Sequence, residues 1–422
     1  MRIIMTPVGS SGDVNPFVTI GRALRARGHT VILIASEPFA PVVTGAGLEF
    51  ISNWSADDFD RMTRHPDLWH PVRGLRLILR AAAGQLRQNY ALIEKAHRPG
   101  HTILVGHMLS FPTRVFEETH RVPAVTVQLA PSAFRSDFGQ PGAPPARDFS
   151  RWPRWAKRAL WWGLDRFMID PPIVPALNAW RAELRLAPVA RLFKSWVHSP
   201  RRVVGLFPDW FGEPQPDWPA QTRLAGFVLS HGGGNEVLDG EIRRFVEAGS
   251  PPLVFTPGSA NRQADRFFNA AAEATLRLGR RALFLSRFPE QLPAVLPDQI
   301  HHAPYAPLTT LLPSCAALVH HGGIGTCAQG FGAGIPQLVM PMAFDQPDNA
   351  LRIARLGCGG VVPPRRFSGP TVASAMEPLL TAPKIIEECR RRQRAVHDVD
   401  AVDAACAEIE AAASEPAPAR IR

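Results

Sequence analysis

Short apolar runs alternate along this chain with longer stretches whose apolar positions recur every three or four residues. A first series of runs, at residues 2–6 (RIIMT), 31–35 (VILIA), 102–105 (TILV), 124–129 (AVTVQL) and 203–207 (VVGLF), has the length and composition of buried strands. A second series follows at 252–256 (PLVFT), 281–285 (RALFL), 316–319 (AALV) and 337–340 (QLVM). Between them, positions such as Phe17, Ile20 and Leu24 mark one face of a helix that Gly28 ends. This rhythm predicts an α/β protein with two doubly wound, Rossmann-like parallel sheets, whose ligands sit beyond the C-terminal ends of the strands. The Pro-rich EPQPDWP at 213–219 reads as a linker, which gives domains at 1–215 and 226–395, a last helix at 396–413 and a tail at 414–422. With 422 residues, each domain is large enough for its own core.

One stretch organises the second series. Residues 320–349, HHGGIGTCAQGFGAGIPQLVMPMAFDQPDN, run from a strand end through a glycine-rich turn into a helix closed by Gly334 and Pro336. Backbone N–H groups left unpaired at a helix start, together with the positive end of its dipole, suit a phosphate. His320, Gly322, Gly323, Gly325 and Thr326 are the candidates for that site. Asp345 and Gln346 stand after the next strand, where an acceptor and a mixed donor/acceptor suit sugar hydroxyls. A glycine turn alone also has a purely conformational reading. Gly258 and Ser259 end another strand of the same sheet in a second small-residue turn.

In the first domain, Asp13 lies in the turn GSSGDVNP directly after the first strand. It reads either as a helix-capping carboxylate or as a general base at the active edge of the sheet. His107 follows the strand at 102–105 and pairs with Asp13 in one reading, or is a wall residue in the other. Asp58 and Asp60 form a DxD-like pair, but their polar helical setting reads as a solvated face; no metal is expected.

Composition narrows the classes. The net charge of +10 favours anionic ligands, yet the bases are spread among helices rather than gathered into a stripe with aromatics, which argues against nucleic acid. Five widely spaced cysteines without a CxxC suggest neither zinc nor a disulfide framework and fit a reducing cytoplasm. No signal peptide or spanning helix is predicted. Residues 150–170, SRWPRWAKRALWWGLDRFMID, mix Trp152, Trp155, Trp161 and Trp162 with five basic residues. Such a segment suits a membrane interface, the mouth of a greasy acceptor pocket, or an ordinary amphipathic helix packed on its domain.

Together, the phosphate-type turn, its histidine and the Asp-Gln pair resemble the donor motif of nucleotide-sugar glycosyltransferases of the GT-B architecture. GSxGDVxP resembles the first loop of the antibiotic and sterol members. The resemblance implies that Pro304-Tyr305-Ala306 holds the nucleotide base and that the last helix crosses back to the first domain. It also implies that a Glu found in plant members is replaced here by Ala328, with Gln329 beside it. RLFKSWVHSPRRVVGLFPDWF, PLVFTPGS and YAPLTTLLPSCAALVHHGGIG look like the rhamnosyltransferases of rhamnolipid synthesis, which implies rhamnosyl transfer from dTDP-rhamnose to a hydroxyacyl lipid. UDP-glucose-dependent transfer to a sterol, polyphenol or polyketide is the alternative, and a nucleotide-sugar epimerase or a non-catalytic partner subunit are further ones. The expected chemistry is inverting and metal-independent, with a dTDP- or UDP-hexose as co-substrate and no cofactor. Trp155, Trp161 and Trp162 are expected at the acceptor site, and the protein in the cytoplasm, touching the inner membrane face peripherally if at all.

Overall fold

The computed structural model describes residues 1–139, 142–143, 147–229 and 237–415. The first sheet contains β1 (Arg2–Thr6), β2 (Thr30–Ser36), β3 (Glu49–Trp54), β4 (Thr102–His107) and β5 (Ala124–Gln128). A small antiparallel ribbon, β6 (Gly142–Ala143) and β7 (Arg147–Asp148), comes before its last two strands, β8 (Arg202–Gly205) and β9 (Thr222–Leu224). The order β3-β2-β1-β4-β5-β8-β9 is parallel throughout. The second sheet holds β10 (Leu253–Thr256), β11 (Ala282–Leu285), β12 (Ile300–Ala303), β13 (Ala317–His320), β14 (Gln337–Val339) and β15 (Gly359–Val361). Its order, β12-β11-β10-β13-β14-β15, is also parallel. Strand order reverses between β1 and β4 and between β10 and β13, so each sheet has a crevice at those strand ends where a ligand fits.

Helices on both faces explain why the central strands are apolar without alternation. Ile3, Ile4 and Met5 of β1 and Leu253, Val254 and Phe255 of β10 are all buried. The helix Ala401–Ser414 leaves the second domain and packs on the first. Ala405, Cys406, Ile409 and Ala412 are buried there, Glu410 bonds His29 at 2.8 Å, and Glu408 pairs with Arg202 at 2.7 Å. Burying Ile409 alone contributes about 1.5–3 kcal/mol.

The expected domain boundary is revised. The first sheet does not stop at 215: β9 pairs with β8, so EPQPDWP belongs to the connection between two strands of one sheet rather than to an interdomain linker. Residues 73–96 form two helices, Arg73–Gly84 and Leu86–Ala96, separated at Gln85. Asp58 and Asp60 lie on the helix Ala56–Arg64 and pair with Arg61, Arg64 and, across the domains, Arg262. All five cysteines are buried and unpaired. The triple glycine 232–234 and tail residues 416–422 lie outside the described residues.

Candidate active site

A cleft of about 1530 Å³ opens between the two sheets at the C-terminal ends of their strands. Its first-domain wall begins where β1 turns into the helix Ser11–Ala26. Ser10 caps that helix and Asp13, in its first turn, closes a capping box: Asp13 Oδ2 accepts from Ser10 N at 2.7 Å and from Ser10 Oγ at 3.2 Å. Gly9 makes the curl possible, since it has φ +137° and a Cβ there would lie 2.1 Å from Asp13 Oδ2. Both readings of Asp13 are thus compatible. One carboxylate oxygen caps the helix, while Oδ1 makes no protein hydrogen bond among the described residues. Burial pushes the carboxyl up to about 6, against the lowering effect of the Ser10 donors.

His107 also lines the cleft, but it does not pair with Asp13. Its Nδ1 accepts from Leu109 N at 3.4 Å, and burial lowers it to about 4, so the ring is neutral near pH 7. Its place at the end of β4 makes it a wall residue of the crevice.

On the opposite wall, β13 turns through Gly322-Gly323 into the helix Ile324–Ala333. His320 does not face the cleft. It is still inside the sheet, fully buried, with Nε2 3.0 Å from Gln337 Oε1 and Nδ1 accepting from Gly322 N at 3.1 Å. Gly322 accordingly has its N–H occupied, and neither residue lines the cleft. The next residue does. His321 packs over Gly258, whose φ of +100° and lack of a side chain make room: a Cβ there would lie 2.9 Å from the imidazole. His321 Nδ1 is buried without a hydrogen-bond partner, and burial lowers the ring to about 4. What separates the two is the end of the ladder, since His320 is the last residue paired in β13 and His321 the first beyond it, and the sequence carries no signal for that point.

Gly323, Gly325, Thr326, Gly258, Ser259, Tyr305, Ala306 and Asp345 all line the cleft. Thr326 and Gly325 are in the first turn of the helix, where N–H groups lack intrahelical partners. This helix start faces that of Ser11–Ala26 closely enough that a Cβ on Gly325 would lie 3.6 Å from Gly12 Cα. Two dipole ends therefore meet at one place, flanked by Asp13 and Asp345. Asp345 accepts from Asn349 Nδ2 at 2.7 Å and from the N–H of Ile324; burial, then the charge of Asp13, push it up to about 7. The preceding residue, Phe344, is held at φ +59° and meets Trp69 of the other domain edge-on at 5.9 Å. Gln346 reaches the cleft, but its Oε1 is engaged by Met342 N and Ala343 N at 2.9 and 3.1 Å, which fixes the loop that carries Asp345.

Sequence reasoning placed the missing carboxylate at Ala328, which is buried away from the cleft; Gln329 lines it and accepts from Thr309 Oγ1 at 3.0 Å. Of the three tryptophans, Trp161 alone lines the cleft, its Nε1 donating to Ser136 O at 2.9 Å. Trp155 and Trp162 face outward, 73% and 51% exposed, because the helix Arg154–Leu164 turns its other side to the cleft.

Family models for the glycosyltransferase family 28 N-terminal domain and for the erythromycin biosynthesis protein CIII-like C-terminal domain match residues 3–136 and 288–421. The O-mycaminosyltylonolide 6-deoxyallosyltransferase of Streptomyces fradiae is 30% identical over 97% of each chain. The L-demethylnoviosyl transferase of Streptomyces niveus is 27% identical, with 86% of this chain and 85% of that one covered. Among solved structures, the spinosyn rhamnosyltransferase SpnG complexed with thymidine diphosphate has a TM-score of 0.71 at 18% identity, covering 97% of this chain and 100% of that one. The glycotransferase of kitacinnamycin has a TM-score of 0.73 at 20% identity, with 97% and 98% covered. With the fold, the facing strand-end crevices and these relatives in agreement, the chain belongs to the GT-B nucleotide-sugar glycosyltransferases of the family 1, antibiotic type, and is a hexosyltransferase.

Proposed function

We propose that the protein transfers a 6-deoxyhexose, rhamnose being the first to try, from a dTDP-sugar to a hydroxyl of a large apolar acceptor of polyketide kind. The observation that carries this reading is the position of Asp13, with Oδ1 open to a cleft whose opposite wall is the helix start at Gly323–Thr326. Relatives named for 6-deoxyallosyl, demethylnoviosyl and rhamnosyl transfer support a deoxyhexose, and structures solved with thymidine diphosphate support that nucleotide.

In the proposed step, Asp13 Oδ1 takes the acceptor's hydroxyl proton as that oxygen forms its bond to the anomeric carbon. The bond from that carbon to the diphosphate breaks on the opposite face, inverting the configuration, and the electron pair leaves with the diphosphate. His321, the N–H groups of Gly325 and Thr326, and the Ser259 hydroxyl stabilise the charge that develops there. Asp345 orients the sugar, Tyr305 and Ala306 border the base, and no metal takes part.

A second reading keeps the lipid acceptor. Trp155, Trp162 and Phe167, the last 61% exposed, share the surface of one segment with exposed Arg151, Arg154, Arg158 and Arg166, a pattern that suits peripheral contact with an anionic membrane. Among the described residues no helix is long and apolar enough to cross a membrane.

The test is a mass-spectrometric product screen of purified protein, crossing dTDP-rhamnose and UDP-glucose with macrolide aglycones, hydroxyacyl lipids, sterols and polyphenols. A rhamnosylated aglycone supports the first reading and a rhamnosylated lipid the second. A sugar epimer formed from donor alone, or no product in any mixture despite nucleotide binding, overturns both.

A further inference from the structure

The acceptor side of the cleft is apolar over much of its wall, with Trp69, Leu75, Ile78, Leu164, Met168 and Phe193 contributing to it. Arg135 stands in that wall as its one arginine or lysine among the described residues of the first domain. It follows the short turn Pro131–Ala133 beyond β5, is 13% exposed, and stacks on Trp161 with its guanidinium carbon 4.4 Å from the ring centroid.

Its charge is compensated, but its donors are not. Asp165 Oδ1 is 3.5 Å from Arg135 Nη2, an ion pair without hydrogen-bond geometry, and that same oxygen is buried with no hydrogen-bond partner. Asp165 Oδ2 is taken by Arg191 Nε at 3.3 Å, and Asp170, also nearby, accepts the backbone N–H of Arg191 at 2.7 Å. The Arg135 guanidinium makes no hydrogen bond among the described residues. A guanidinium has five N–H donors, and those of Arg135 without a protein partner reach the water of the cleft, where a ligand can take them. A carboxylate fills two of them at once in the planar fork arrangement.

We propose that Arg135 anchors a carboxylate carried by an otherwise apolar acceptor. The apolar wall takes the acceptor's body, Trp161 holds the guanidinium flat, and Asp165 keeps it oriented toward the cleft. This inference rests on the reading of the first-domain half of the cleft as the acceptor pocket. It adds a charged recognition group to a wall that is otherwise largely apolar.

The test uses simple amphiphiles in place of the natural acceptor. Dodecanoate, methyl dodecanoate and dodecylamine are titrated calorimetrically, below micelle formation, into the wild-type protein, Arg135→Gln and Arg135→Lys, and dTDP is titrated into each in parallel. The wild-type protein is expected to bind dodecanoate about tenfold or more tightly than the ester. Arg135→Gln loses that preference, Arg135→Lys keeps part of it, and dTDP affinity is the same in all three. Equal affinities of acid and ester for the wild-type protein overturn the proposal without recourse to any variant, as does absence of dodecanoate binding. A preference that survives Arg135→Gln overturns it too, by assigning the effect to the overall positive charge of the chain. Loss of dTDP binding by the wild-type protein would strike the glycosyl-transfer reading instead and leave the comparison of acid with ester intact.

Discussion

Asp13 of the first domain and Asp345 of the second line one cleft, and the charge of Asp13 helps Asp345 hold its proton. Burial, set against the Ser10 donors, brings Asp13 to about 6, whereas burial and then ionised Asp13 bring Asp345 to about 7. The two carboxyls therefore titrate as a pair, both above the ordinary carboxylate range. With one of the pair ionised, the cleft holds one carboxylate able to accept a proton and one carboxyl able to donate a hydrogen bond.

The pH profile follows from the raised value of Asp13. A base must be ionised to work, so kcat/KM should fall as pH drops through about 6, with a level region above. Initial rates across pH at low acceptor concentration measure it. A profile flat down to about pH 4 would remove Asp13 from the role of base.

Asp13→Ala should lower kcat by about two to four orders of magnitude while leaving dTDP affinity unchanged, since the carboxylate acts on the acceptor. Unchanged turnover would eliminate the assignment. Asp13→Asn adds a stability test. The folded-state value lies above the ordinary 3.8, so the stability Asp13 contributes is present below about 4 and lost as pH rises through about 6. Asp13→Asn should consequently melt higher than wild type above pH 7, and that advantage should vanish near pH 4.

The adjacent histidines separate chemistry from folding. His321→Ala should reduce kcat by about two to three orders of magnitude with little change in Tm, as expected for loss of a group at the diphosphate. His320→Ala strands Gly322 N–H and Gln337 Oε1 inside the sheet and should cost about 1–3 kcal/mol of stability, read as a lower Tm. The opposite assignment of the two effects would refute the placement of the phosphate at His321.

Much of the fold was legible because buried parallel strands are short, apolar and bounded by turns; β1 matches its run residue for residue. β15 was not, because Gly359-Gly360-Val361 has none of the β-branched bulk that marks a strand until its last residue. Its glycine is there for contact: a Cβ on Gly359 would lie 1.9 Å from Gln337 O. The site was legible as a set of turns, since glycines and a lone Asp after strands announce themselves. It was not legible side chain by side chain. Choosing His321 over His320, or Gln329 over Ala328, requires the point where the ladder ends and the face a helix presents, which spacing leaves open by one residue.

The outward tryptophans supply a test of their own. Trp155→Ser with Trp162→Ser should leave turnover of a water-soluble acceptor and Tm nearly unchanged, within about 0.5 kcal/mol per site. Trp161→Ala should raise acceptor KM. If the paired substitution also abolishes sedimentation with anionic vesicles, the lipid reading gains; if the wild-type protein never sediments with them, that reading fails.

The C-terminal helix clipped onto the first domain has a mechanical consequence. The chain passes from one domain to the other twice, between β9 and β10 and again between His397 and Ala401. A single tether would let the two bodies swivel and drift apart. A second tether, held by Glu410 on His29 and Glu408 on Arg202, restricts that freedom. Removing the residues from 401 onward would release that second tether and also bare the surface of the helix Ser11–Ala26 on which Ala405, Cys406 and Ile409 pack, coupling catalytic alignment to a segment far from any reacting atom.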